Sequence, residues 1–213
     1  ITKYWKLDIT QLDYDVYLGI GNYGLHYLRY IHNVEHARRF IEIFGYRYTG
    51  ECLLYCIPPV YELWVLHMQH GADPHVSYNN ASPFDILVFM NPPGAYNILD
   101  YILTCYPVNP NTYINMYCSQ TIIDVLPGRY NLVPLFLKHG LDYNTVLLGY
   151  GGMVDLCGNH PDIVAEILKY PIDIDILRND FTSMIDSFVR TGRETIAQSC
   201  HLIDAEIKHR DKT

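Results

Sequence analysis

Four aspartates recur along this chain at nearly even intervals. Asp85, Asp124, Asp155 and Asp186 are separated by 39, 31 and 31 residues. Each stands three positions after Ser, Thr or Gly: Ser82, Thr121, Gly152 and Ser183. A pair of carboxylates does acid–base chemistry only when both reach the same proton within hydrogen-bond distance. Side chains on successive packed helices lie near ~10 Å apart, too far for that work. Two roles remain open. The four form an acidic ladder that meets a basic partner segment, or they bond backbone amides of their own first helical turn or of the neighbouring hairpin.

Other groupings with chemical potential are weaker. Gly19-Ile20-Gly21-Asn22-Tyr23-Gly24 matches a dinucleotide-binding turn, but that fold needs strands alternating with helices downstream, and no Val/Ile-rich strand runs follow. The glycines read as a hairpin loop before a helix. His32 and His36, like His67 and His70, could hold two corners of a zinc site, yet neither pair has an adjoining Glu or Cys pair. Cys52 and Cys56 share a helical face and read as core. No nucleophile elbow and no phosphate-binding loop occurs. The expectation is no catalytic residue, no metal and no cofactor.

Composition narrows the function classes. The 213 residues carry a net charge of -8, with no run of Lys or Arg longer than two, which disfavours nucleic acid and anionic membrane as partners. No apolar run approaches the ~18 residues of a membrane span. Six scattered cysteines without a C-x-x-C motif suit free thiols in a reducing compartment, and so an intracellular, cytoplasmic setting. The chain opens Ile1-Thr2-Lys3, without Met or a signal-like segment, which predicts a piece of something longer. Tyr is abundant, at 20 residues, and suits contact surfaces.

The elements that would position these residues are short helices in pairs. In the stretch 68–87, Gly71 fits the left-handed cap that closes a helix, Asp73-Pro74 and Tyr78-Asn79-Asn80 form turns, and Ser82-Pro83 opens the next helix. A second register, Asp73, Asn109, Asp142 and Asp173, steps by 36, 33 and 31 residues in phase with the first. Residues 34–44, 60–69, 95–105, 132–138, 162–168 and 195–207 supply the second helix of each pair, by apolar spacing.

Two registers moving together at about 33 residues resemble the ankyrin repeat. Gly71-Ala72-Asp73 resembles the family's G-A-D, and Ser82-Pro83-Phe84-Asp85-Ile86-Leu87 its T-P-L-H-x-A, with Asp at the His position in four copies and His kept at His26. The resemblance implies an all-α, ankyrin-like solenoid of stacked helix-turn-helix repeats with short hairpin loops. The repeats are 21–48, 49–81, 82–117, 118–150, 151–180 and 181–207, after a partial unit at 1–20 and before a tail at 208–213. Such an array binds a protein partner, without catalysis, through its concave face and hairpin tips. The tips carry Tyr78, Asn79, Tyr113, Asn115, Tyr117, Tyr143, Asn144 and Tyr150, a composition suited to recognition. Two alternatives stay open: an autoinhibitory or scaffolding array for a catalytic domain elsewhere, and a small-ligand or metal-binding enzyme with a pocket near His26, His32 and His36.

Overall fold

The computed structural model describes residues 34, 35, 37, 38, 42, 53, 59–77, 80–115, 118, 120–144 and 152–212. The partial unit at 1–20, the Gly19–Gly24 run, His26, His32, His36, Cys52, Cys56, Tyr78, Asn79, Tyr117 and Tyr150 lie outside them. The chain is mostly helical with little strand. Where sequence predicts one array over 1–213, its contacts gather in two compact units. One comprises Ile1–Tyr106 and Met116–Cys118, the other Pro107–Asn115 and Ser119–Thr213.

The first unit contains α1 (Tyr61–Gln69), α2 (Pro83–Met90) and α3 (Ala95–Cys105). α1 buries Leu63, Trp64, Leu66, His67 and Met68; α3 buries Ala95, Ile98, Leu99, Ile102 and Leu103. These i, i+3, i+4 stripes pack on each other, and α2 packs on α3. α1 closes as expected at Gly71, which takes a φ of 99°. Its amide donates to Met68 O and that of Ala72 to His67 O, so two orphan carbonyls are satisfied by the Schellman pattern. α2 opens on a capping box: the Asp85 amide donates to Ser82 Oγ, and the Ser82 amide to Asp85 Oδ2, both at 3.0 Å.

The second unit begins with a two-stranded antiparallel ladder, β1 (Ile114–Asn115) and β2 (Gln120–Thr121), in register Ile114 with Thr121. α4 (Ile122–Val125), α5 (Val133–Lys138), α6 (Met153–Leu156), α7 (Pro161–Ile167), α8 (Ile174–Thr191) and α9 (Glu194–Arg210) follow. The second helices pack in sequence, α5 on α7 and α7 on α9, and the first helices likewise, α6 on α8; α6 pairs with α7 and α8 with α9. Gly140 repeats the cap of Gly71: φ is 94°, its amide donates to Leu137 O and that of Leu141 to Phe136 O.

One predicted boundary is corrected. The repeats 151–180 and 181–207 place a hairpin and a helix start near Ser183–Asp186. Instead α8 runs unbroken through that boundary. No Gly or Pro stands between Asp173 and Gly192. Asp173 caps the helix by accepting the amides of Asp175 and Ile176, so the helix starts at the turn itself. Leu177 and Met184 keep a helical stripe buried beyond the predicted break.

His67 gives this core a pH dependence. Burial, with a smaller contribution from His70, pulls its pKa down to about 4 from 6.5. The unfolded chain therefore takes up a proton near pH 6.5 and the folded one only near 4, so stability falls as pH drops through that window. Urea titrations followed by Trp64 fluorescence, with Trp5 changed to Phe, should show the chain losing about 2 kcal/mol more between pH 7 and pH 4.5 than the same chain carrying His67→Met.

Candidate functional site

A turn built on one side-chain oxygen recurs in four places. The side-chain oxygen of Asp73 accepts the amide of His75 at 2.8 Å, Asn109 that of Asn111 at 3.0 Å, Asp142 that of Asn144 at 2.9 Å, and Asp173 that of Asp175 at 2.8 Å. This is the Asx turn, in which a short polar side chain replaces a backbone acceptor two residues on. The regular step of these four residues thus has a local cause.

The residue two places on from the turn former then reaches the next turn. His75 Nε2 donates to Tyr106 O at 3.0 Å while its ring packs on Phe84 at 4.8 Å. Asn111 donates from Nδ2 to Gly140 O at 2.8 Å and accepts the Asp142 amide at 2.7 Å. Asn144 accepts the Asp173 amide at 2.7 Å. Each link uses a side chain 29 to 31 residues from its backbone partner. Sequence reasoning marked the turn formers and missed the partner role of His75 and Asn111. The spacing D/N-x-[HN] at 73–75, 109–111 and 142–144 was the available signal.

The four aspartates of the first register do not share one environment. Asp85 is fully buried in its capping box. Asp124 is exposed in a second box: its Oδ2 accepts the Thr121 amide and hydroxyl at 3.3 and 2.6 Å. Asp155 is half-buried and accepts Ser183 Oγ at 3.0 Å; burial pushes its carboxyl up, and that hydrogen bond opposes the shift. Asp186 is a correction: it lies exposed within α8, opens no helix and does not continue a helix-start row.

The third copy has Gly152 where the others carry a hydroxyl. Its place is taken by Asp180 of α8, a residue that sequence reasoning passed over. Asp180 Oδ1 accepts the Gly152 amide at 2.6 Å and Oδ2 the Asp155 amide at 3.2 Å. A Cβ on residue 152 would stand 2.5 Å from Asp180 Oδ2, so the missing side chain is the space the carboxylate fills. Asp180 is only 1% exposed. Burial pushes its pKa up to about 6, against the downward pull of the Gly152, Asp155 and Val154 amides; the Asp155 charge adds to the rise.

The finger-tip residues divide differently from the sequence expectation. β1 alternates, and its phase turns Ile114 outward, 57% exposed, and Asn115 inward, 0% exposed. Asn115 is therefore corrected from surface to interior. Tyr113 is half-buried. Tyr143 is half-buried against Tyr170, with ring centroids 6.3 Å apart, and Asn144 is committed to Asp173. Val76, 42% exposed, is an outward apolar side chain of the first finger.

Among the described residues, no group of three or more His, Cys, Asp or Glu side chains is placed to hold a metal. A cavity lined by Leu53, Trp64, Pro83, Ile86, Leu87, Met90 and Pro92 has a volume of about 30 Å³, room for one water and far short of the several hundred Å³ of a ligand pocket. No helix among the described residues is long and apolar enough to cross a membrane. The chain matches no family model, no curated protein and no solved structure.

The links between turns carry a measurable share of stability. Asn111→Ala removes two hydrogen bonds to the following turn, and urea unfolding should register a loss of about 1–2 kcal/mol. Thr112→Ala, at an exposed neighbouring position, should change stability by less than about 0.5 kcal/mol.

Proposed function

We propose that this chain is a non-catalytic protein-binding array of ankyrin-like helical hairpins. In this reading it engages another protein through the fingers and the face of the first helices. One observation carries the proposal. Asp73, His75, Asn109, Asn111, Asp142 and Asn144 are spent on holding the backbone of the turns, while apolar side chains stand out into solvent beside them. Val76 and Ile114 project from two fingers, and Met90 stands 60% exposed at the end of the first helix α2. A residue that folding leaves bare and apolar on a well-fixed turn suits recognition more than stability.

The contacts of first helix with first helix and second with second support the stacked-hairpin part of the reading. The two caps at Gly71 and Gly140, alike in φ and in hydrogen bonding, support a repeated unit. The partner is a protein that presents apolar side chains, since a chain of net charge -8 repels nucleic acid. The thiols of Cys105, Cys157 and Cys200, free of disulfides, suit a reducing, cytoplasmic setting.

The test compares capture from cell extract by three immobilised proteins: the unaltered chain, a Val76→Ser/Ile114→Ser variant, and Tyr96→Ser on the second helix α3. Tyr96 is 39% exposed and serves as the control. The finger variant should lose specifically captured proteins that the other two retain, with its urea midpoint nearly unchanged. Equal capture by all three, or no specific capture by the unaltered chain, would overturn the assignment.

A further inference from the structure

We propose that the contact between α6 and α8 is a proton-linked latch, in which Asp180 ties the start of the preceding hairpin to α8 and the closed state is favoured once protonation removes the buried charge. The inference goes beyond protein binding and does not rest on it. It stands on the arrangement of groups around one buried carboxyl.

The first two caps of this kind are local. Ser82 and Thr121 each reach an amide three residues on in their own helix. At Gly152 the cap comes from 28 residues away, on another helix. The bond that starts α6 is therefore also a bond that joins α6 to α8. A change in the state of Asp180 acts on both at once.

The surroundings of Asp180 favour its neutral form. Among the described residues the one charge acting on it is that of Asp155 on α6, and it is of like sign. Ser183, on α8 itself, spends its hydroxyl on Asp155 rather than on Asp180. Ile176, also on α8, lines the space beside Gly152. The buried positions of α9, which packs along α8, are Ile196, Ser199 and Ile203, and bring no charge. Residues 145–151, which lead into Gly152, contain no Asp, Glu, Lys, Arg or His. A buried anion with amide donors but no cation is held against its desolvation cost.

The sign follows from linkage. Folded, Asp180 holds a proton up to about pH 6; unfolded, the ordinary Asp value is 3.8. On going from pH 7 to pH 5 the latched state binds the proton first, so opening becomes rarer by about tenfold. At neutral pH the last hairpin is consequently the more easily released.

Amide hydrogen exchange in the full chain, followed by NMR at Gly152 and Asp155 and expressed as protection factors, tests this. Protection should rise about tenfold from pH 7 to pH 5 in the unaltered chain, and stay level in Asp180→Asn. Should Asp180→Asn fail to fold, Gly152→Ser combined with Asp180→Ala restores a local cap of the kind at Ser82; it should protect Asp155 equally at both pH values. A direct carbon-13 titration of the Asp180 carboxyl should have its midpoint near 6. The proposal is overturned if the unaltered chain shows flat or falling protection, if either folded variant keeps the tenfold rise, or if the carboxyl titrates below about 4.5.

Discussion

None of these helices can hide its own apolar stripe, and that constraint shapes everything else. α4 and α6 have four residues each and α5 has six, far below the ~12–15 at which an isolated helix holds in water. They persist because a neighbour covers them. Leu132, Val133, Leu135 and Phe136 are buried to 0% in a stretch of five residues, which only packing from outside the helix can achieve. The order of contacts, second helix on second helix, is what this shortage of self-burial demands.

Short helices also have proportionally more orphan backbone groups, and the polar residues answer that need. Capping boxes at Ser82 and Thr121 satisfy the starts of α2 and α4, while Gly71 and Gly140 close α1 and α5. The Asx turns at Asp73, Asn109, Asp142 and Asp173 fix the chain between helices, and His75, Asn111 and Asn144 carry hydrogen bonds onward to the next turn. Arg210 makes a comparable tie at the end of α9, donating to the carbonyls of Tyr170 and Ile172. Covalent neighbours thus set each turn, and residues 29 to 31 positions away hold it in place. A surface so arranged leaves apolar side chains such as Ile114 exposed on a firmly set backbone.

What the sequence disclosed depended on how far apart the cooperating residues lie. Ser82 with Asp85 and Thr121 with Asp124 are three positions apart, so the capping pattern is readable as letters. Gly71 and Gly140 are readable for the same reason, since a left-handed cap asks for glycine at one position. The partners Asn111 and Asn144 act over about 30 residues, beyond what local pattern shows. Asp180 was hidden more deeply: its role exists only because Gly152 lacks a side chain, and nothing near Asp180 in the chain advertises that vacancy. The phase of β1 was also out of reach. A strand of two residues offers no alternation to read, so the inward turn of Asn115 and the outward turn of Ile114 needed coordinates. The break expected inside 173–186 failed because the Ser183 and Asp186 spacing imitates a cap within a helix that has no breaker to end it.

The central claim is that each hairpin is held by its neighbours rather than by a common core. The most direct measurement deletes residues 173–213 and follows amide hydrogen exchange along the remaining chain. The account predicts that protection collapses in α6 and α7, which lose α8 and α9, and survives in α1 and α3. Uniform loss of protection from Tyr61 onward, or undiminished protection in α7, would contradict it.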